Sequence, residues 1–240
     1  MVIIRDFALG CTTAASLAKR VLGYISCPKG LMHGSISLEL HNGDVLDFSQ
    51  QSGHLVPHVR FVERVVFHSK VTAVLIVEKE TVFFALVQSG FQERFPQVIL
   101  ATGKGYPDIN TRELLAMFSS NLRVAVLVDC DPDGAHIYQV YAEGGWNNCQ
   151  FYFPHARWAG LHCSMARVGK WGLNVDQMIE YTRHDRGLAL RLLKRWISSV
   201  VLRRRMAKML YRGKKAELEA ITQYRGMLLE YVGDILADQE

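Results

Sequence analysis

The chain has 240 residues, 49% hydrophobic and 21% charged, with 28 Lys and Arg against 23 Asp and Glu for a net charge of +5. That composition excludes intrinsic disorder and supports one large domain or one domain with appendages. No apolar run approaches the roughly 18 residues of a membrane span, and the N-terminus lacks the basic, apolar, small-residue order of a signal peptide, so a soluble intracellular protein is expected.

In chain order, residues 1–50 open with a short helical pattern and then SISLELHNGDVLDF, in which two alternating runs flank Asn42-Gly43 and predict a β-hairpin. The run VTAVLIVEKE, residues 71–80, is β-branched and unalternating, as a strand covered on both faces requires. TVFFALVQSGF reads as a helix and QVILATG as a second buried strand. NTRELLAMFSS reads as a helix capped by Asn110 or Thr111, and RVAVLVD as a third buried strand. Strand, helix, strand, helix, strand in quick succession predicts crossover units and a parallel sheet. Towards the C-terminus, Lys194, Arg195, Arg203, Arg204, Arg205, Lys208, Arg212, Lys214 and Lys215 crowd together, as on a solvated helix face or a surface for a polyanion. Five cysteines, odd in number and without a CxxC pair, read as reduced thiols. His155, His162 and His184 have no ligand spacing and read as core or surface residues.

Function in open α/β sheets gathers beyond the carboxyl ends of the strands. Glu78 falls at that end of the first strand, and Asp129 and Asp131 at that end of the third. Converging carboxylates repel one another, and a cation resolves the conflict. With oxygen ligands alone, a hard ion such as Mg²⁺ is favoured over zinc. Asp129, Asp131, Asp133 and Gly134 also fit the first half of a calcium-binding EF-hand loop, but its twelfth position is Val140 where a glutamate is needed, and Pro132 lies inside it. An aspartate of this group capping the next helix is compatible with either reading.

Taken together, VEKE, GKGYPD followed by TRELL, VDCDPDG leading into AHIYQVY, SCPKGLMHG upstream, and ARWAGL and KKAELEA downstream resemble the Toprim domain that the meiotic, sporulation-eleven branch shares with the topoisomerase VI A subunit. The resemblance covers most of the chain. It implies a Toprim-type parallel sheet flanked by helices over 51–240, with C-terminal helices, preceded over 1–50 by the remnant of a winged-helix DNA-binding domain.

Carried over by position, the resemblance makes Glu78, Asp129 and Asp131 the Mg²⁺ ligands. It makes Lys29 and Gly30 a phosphate-following element near the wing, and Lys104 a phosphate contact at the same sheet edge. It implies double-stranded DNA as substrate, a homodimer or a heterodimer with a family member, an ATPase partner like the topoisomerase VI B subunit, and a nuclear location. The expected activity is meiotic double-strand breakage by transesterification. The family's tyrosine nucleophile lies well upstream of the PKG signature, where this chain has only Tyr24, read as packing, so the nucleophile is expected to be absent from this chain. Tyr106, Tyr138 and Tyr141, near the acidic cluster, read as packing or substrate contacts. Two alternatives stand beside strand breakage: a non-cleaving partner that binds DNA and metal, and a hydrolytic nuclease using metal-activated water.

Overall fold

The computed structural model describes residues 27–50, 53–145, 151–161, 177–196, 199–222 and 227–237. The strands β1 (Leu31–His33), β2 (Ile36–Leu40), β3 (Val45–Asp47), β4 (His54–Leu55) and β5 (Val62–Phe67) come first. Then follow β6 (Ala73–Val77), α1 (Glu80–Gln88), α2 (Phe91–Arg94), β7 (Val98–Thr102), α3 (Ile109–Phe118), β8 (Arg123–Leu127), α4 (Pro132–Glu143) and β9 (Arg157–Trp158). The C-terminal part holds β10 (Ile179–Glu180), α5 (Arg183–Arg195), α6 (Val200–Arg212), β11 (Lys214–Lys215), α7 (Glu219–Thr222) and α8 (Met227–Ala237).

The three buried runs become β6, β7 and β8, the core of a six-stranded sheet of order β4-β1-β7-β6-β8-β9. Every residue of β6 and β7 is buried, which is why neither alternates. Pairing is parallel from β7 through β6 and β8 to β9, but β1 and β4 close one edge antiparallel. The sheet is therefore mixed, where the sequence suggested a parallel one, and it draws β1 from before residue 50 and β4 from after it. The stretch 1–26, over which most of the winged-helix remnant is expected, lies outside the described residues, as does Tyr24.

From β6 the chain moves to β7 on one side and then crosses to β8 on the other. The strand order reverses between β6 and β8, and a crevice opens beyond the carboxyl ends at such a switch point.

The hairpin at Asn42-Gly43 is present, with residues 41–44 between its strands. The Gly43 N–H donates to Leu40 O, the Leu40 N–H donates to Asp44 O, and Gly43 takes φ +88°, the left-handed position such a loop reserves for glycine. Helix α3 is capped by neither candidate but two residues before the nearer of them: Asp108 accepts from the Thr111 N–H. Asn110 is instead turned to Val59 N–H and Pro57 O, tying the β4–β5 connection to the helix. Helices α5 and α6 pack against each other and α4 packs on α5. Helix α6 buries Met206 and Met209 and leaves Arg203, Arg204, Lys208 and Arg212 in solvent. Arg205 turns inward and stacks over Trp158. The Gly213 cap (φ +63°) then turns the chain into β11, which pairs with β10. Among the described residues, no helix is long and apolar enough to cross a membrane.

Thr182 and Asp185 form a reciprocal capping box on α5, and Lys215 Nζ approaches Asp185 Oδ2 at 3.1 Å. Burial pushes the Asp185 carboxyl up, but the Thr182 N–H and hydroxyl and the Lys215 ammonium outweigh it and hold the carboxyl below the usual range. A depressed carboxylate pKa gives stability that is present above the unfolded value and lost as pH falls through the folded one. Asp185→Ala is therefore expected to cost about 1–2 kcal/mol near neutral pH in urea unfolding, with the difference shrinking below about pH 4.

Candidate metal and nucleic-acid site

Glu78 follows β6 directly, and Asp129 and Asp131 follow β8, so the sheet delivers all three carboxylates to its switch point. Glu78 is held by its backbone: its N–H donates to Leu127 O, and its carbonyl accepts from the Gly105 N–H at 2.8 Å and the Thr102 hydroxyl at 3.2 Å. Its Oε2 accepts from the Asp129 N–H at 2.9 Å. Asp131 is the N-cap of α4 and its Oδ1 accepts from the Gly134 N–H at 2.6 Å, so the capping reading holds for one of the aspartates.

Gly134 is where Glu78 and Asp131 meet. Its N–H serves Asp131, and a Cβ there would stand 3.1 Å from Glu78 Oε2 and 2.7 Å from Asp129 O. Only glycine lets α4 begin so close to the tip of β8.

Burial, and then the charges of Asp129 and Asp131, push the Glu78 carboxyl well above the usual carboxylate range, against the single N–H donated to it. Burial also raises Asp129, against the Leu218 N–H and the Lys79 ammonium. Asp131 is pushed up to about 6 by burial, despite the Gly134 N–H. These are oxygen donors forced together in a dry place, a set that suits a hard divalent cation. They are not a finished cage. Among the described residues no three His, Cys, Asp or Glu side chains stand in an arrangement ready to hold a metal ion. Asp129 is already engaged by protein: its Oδ1 accepts from the Leu218 N–H at 2.8 Å and its Oδ2 lies 3.0 Å from Lys79 Nζ.

Lys104 lies at the same sheet edge in a left-handed conformation (φ +54°), with its ammonium 2.8 Å from Glu80 Oε1. Lys29 donates from Nζ to Lys104 O at 3.1 Å and from its N–H to Asp108 at 3.2 Å. The Gly30 N–H donates to Thr111 Oγ1. Lys29 and Gly30, just before β1, therefore pack against the β7–α3 loop that carries Lys104 and against the start of α3, beside the acidic cluster. Tyr106 rises from the same loop, half exposed, and its hydroxyl donates to Asp133 Oδ1 at 2.9 Å while meeting His136 Nδ1 at 3.0 Å. Tyr138 is buried and donates to Ala156 O, and Tyr141 is buried completely, so both pack as expected. His155 and His184 are surface residues, and His162 lies outside the described residues.

Residues 73–233 match the family profile for the Toprim domain of Spo11 and the topoisomerase 6 A subunit. The chain belongs to the family of Spo11 and the topoisomerase VI A subunit. It is 31% identical over 208 residues to "Meiotic recombination protein spo-11" of Caenorhabditis elegans, covering 83% of this chain and 48% of that one. It is 32% identical over 224 residues to "Meiotic recombination protein W68" of Drosophila melanogaster, with 85% and 62% covered. To the A3 subunit of DNA topoisomerase 6 from Oryza sativa subsp. indica it is 28% identical over 233 residues, with 90% and 49% covered. The chain thus spans about half the length of the relatives it matches.

Sequence reasoning missed Lys79, Glu217, Leu218 and Glu219. The signal was present in KKAELEA, whose two glutamates flank the leucine that reaches Asp129, but that stretch carried only the family likeness. The acidic site of this Toprim domain is closed on one side by its own C-terminal segment.

Proposed function

We propose that the chain is the Mg²⁺-binding part of a type IIB topoisomerase-like subunit that breaks double-stranded DNA in meiotic recombination, acting in the nucleus as a dimer and with a B-type ATPase partner. The observation that carries this reading is the meeting of the Glu78 and Asp131 carboxylates across Gly134 at the switch point, Glu78 buried and Asp131 half-buried, both raised in pKa. Bound there, Mg²⁺ would offset the charge of a backbone phosphate and of the departing 3′ oxygen. In the step itself a tyrosine oxygen forms a bond to phosphorus, the bond from phosphorus to the 3′ oxygen breaks, and that oxygen leaves as a hydroxyl after taking a proton.

Glu78 and Asp131 would hold the ion, and the α4 N-terminus fixes Asp131. Lys104 on the β7–α3 loop, with Lys29 and Gly30 packed against it from the segment before β1, would follow the phosphate backbone, with Lys104 exchanging Glu80 for phosphate. The family resemblance and the names of the meiotic relatives support the substrate, the partners and the location.

One observation keeps a second reading, a partner that binds DNA and metal without cleaving. Among the described residues, the tyrosine exposed at the cluster is Tyr106, and its hydroxyl is already engaged by Asp133 and His136. Burial and the adjacent Asp133 raise its pKa, which opposes formation of a nucleophilic phenolate.

The protein, isolated with its partners and given supercoiled DNA and Mg²⁺, separates these readings by the chemistry of the ends. Breaks with protein linked to the 5′ ends are the expected result. Free 5′ phosphates would instead establish hydrolysis, and salt-sensitive DNA binding without breakage would establish the non-cleaving partner. Absence of DNA binding at low salt would overturn the nucleic-acid reading altogether.

A further inference from the structure

Lys79, the residue after Glu78, sits at the centre of an ion cluster spanning two distant parts of the chain. Its Nζ lies 3.0 Å from Asp129 Oδ2, 2.7 Å from Glu219 Oε2 and 3.4 Å from Glu217 Oε2. The other oxygen of Glu219 accepts from the Thr81 hydroxyl at 3.2 Å. Between the two glutamates, the Leu218 N–H occupies the second oxygen of Asp129, and Cys130 and Ala216 exchange backbone hydrogen bonds of 2.9 and 3.2 Å. The 216–219 segment is thereby pinned across the tip of β8, with both oxygens of Asp129 engaged by protein.

An ammonium that touches Asp129 fills the place a metal would take on that carboxylate, and it repels any divalent ion bound to the neighbouring Glu78 and Asp131. Glu217 and Glu219 already share the same ammonium with Asp129, so it stays paired if it moves off Asp129. From this geometry we infer that Lys79 is a resident counter-cation, a positioning residue that withholds Asp129 from the metal until the glutamates of the C-terminal segment draw it aside. The inference rests on the proposed metal site and adds to it the part of the chain that controls the ion's ligand set: two ligands, Glu78 and Asp131, while Lys79 bridges Asp129 to the two glutamates, and a third once Lys79 leaves Asp129 and keeps Glu217 and Glu219 alone.

The test is Mg²⁺ affinity by titration calorimetry, with thermal melting to confirm folding. Lys79→Met removes the ammonium while keeping much of its apolar length, and is expected to tighten Mg²⁺ binding about ten-fold or more, the size of effect expected from one nearby charge in a partly dry site. Glu219→Gln leaves Lys79 more fully to Asp129 and is expected to leave Mg²⁺ binding equal or weaker. Lys79→Arg keeps the charge and is expected to bind as the wild type does. Should Lys79→Met fail to fold, Lys79→Gln, whose amide can still meet Glu219, replaces it with the same expectation. A Lys79→Met or Lys79→Gln protein that folds and binds Mg²⁺ no tighter than wild type would show that Lys79 merely braces the segment. If Glu78→Gln binds Mg²⁺ as tightly as wild type, the metal site itself is wrong, a failure separate from that of Lys79.

Discussion

Glu78→Gln and Asp131→Asn are each expected to weaken Mg²⁺ binding by about 100-fold or more and to reduce Mg²⁺-dependent strand breakage in step, while changing DNA affinity little. The exchange removes one charge and one anionic donor from the pair that meets at Gly134. At position 78 it leaves the fold's needs intact, because a glutamine oxygen still accepts from the Asp129 N–H. Calorimetry on the metal-free protein checks the affinity. A melting series adds a second readout with a definite sign. The Glu78 pKa is raised in the fold, so its contribution to stability is complete below the ordinary carboxylate pKa and is lost as pH rises through the folded value. Without metal, wild type should therefore lose stability relative to Glu78→Gln between weakly acid and weakly alkaline pH. Saturating Mg²⁺ should reverse that order, because the ion binds only the folded carboxylate.

Asp129→Ala is expected to destabilise the protein by about 2–3 kcal/mol, a fall of roughly 5–10 °C in melting temperature for a chain of this size. Its largest cost is the buried Leu218 N–H, left without an acceptor. Lys79 adds less, since it is partly exposed and keeps Glu217 and Glu219. Relief of repulsion at Glu78 offsets part of the loss. Asp129→Asn restores an acceptor for the Leu218 N–H and should cost only about 1 kcal/mol. Amide hydrogen exchange locates the effect: protection at Leu218 and Ala216 should drop in Asp129→Ala and persist in Asp129→Asn. Equal losses for both variants would mean that the charge, and not the hydrogen bond, holds the segment.

The part of the fold that positions the site was legible because burial writes itself into composition. Residues 73–77 and 98–102 are covered on both faces, so both runs are continuous and apolar, and their alternation with helical patterns implied parallel strands whose carboxyl ends share one edge. With it came Glu78, Asp129 and Asp131 at one edge. The antiparallel edge was not legible: β1 has three residues and β4 two, too short for a period to show. Asn110 looked like a cap because its residue type favours one, but its side chain is used by the β4–β5 connection and Asp108 takes the role.

The C-terminal closure of the site was hidden for a different reason. It consists of one backbone N–H, a two-residue backbone bridge and an ion cluster between residues far apart in the chain, none of which imposes a repeat on the sequence. Lys29, Gly30 and Lys104 were each marked for DNA, but nothing local foretold that Lys29 reaches the Lys104 carbonyl or that Lys104 is paired with Glu80.

The central claim is that Glu78 and Asp131 hold a divalent ion at the β6–β8 switch point. Anomalous diffraction from crystals of the protein soaked in Mn²⁺, a stand-in for Mg²⁺ with the same preference for oxygen, tests it directly. The expected result is one peak about 2.0–2.3 Å from carboxylate oxygens of both residues. A peak elsewhere, or none at this sheet edge while the metal is bound in solution, would contradict it.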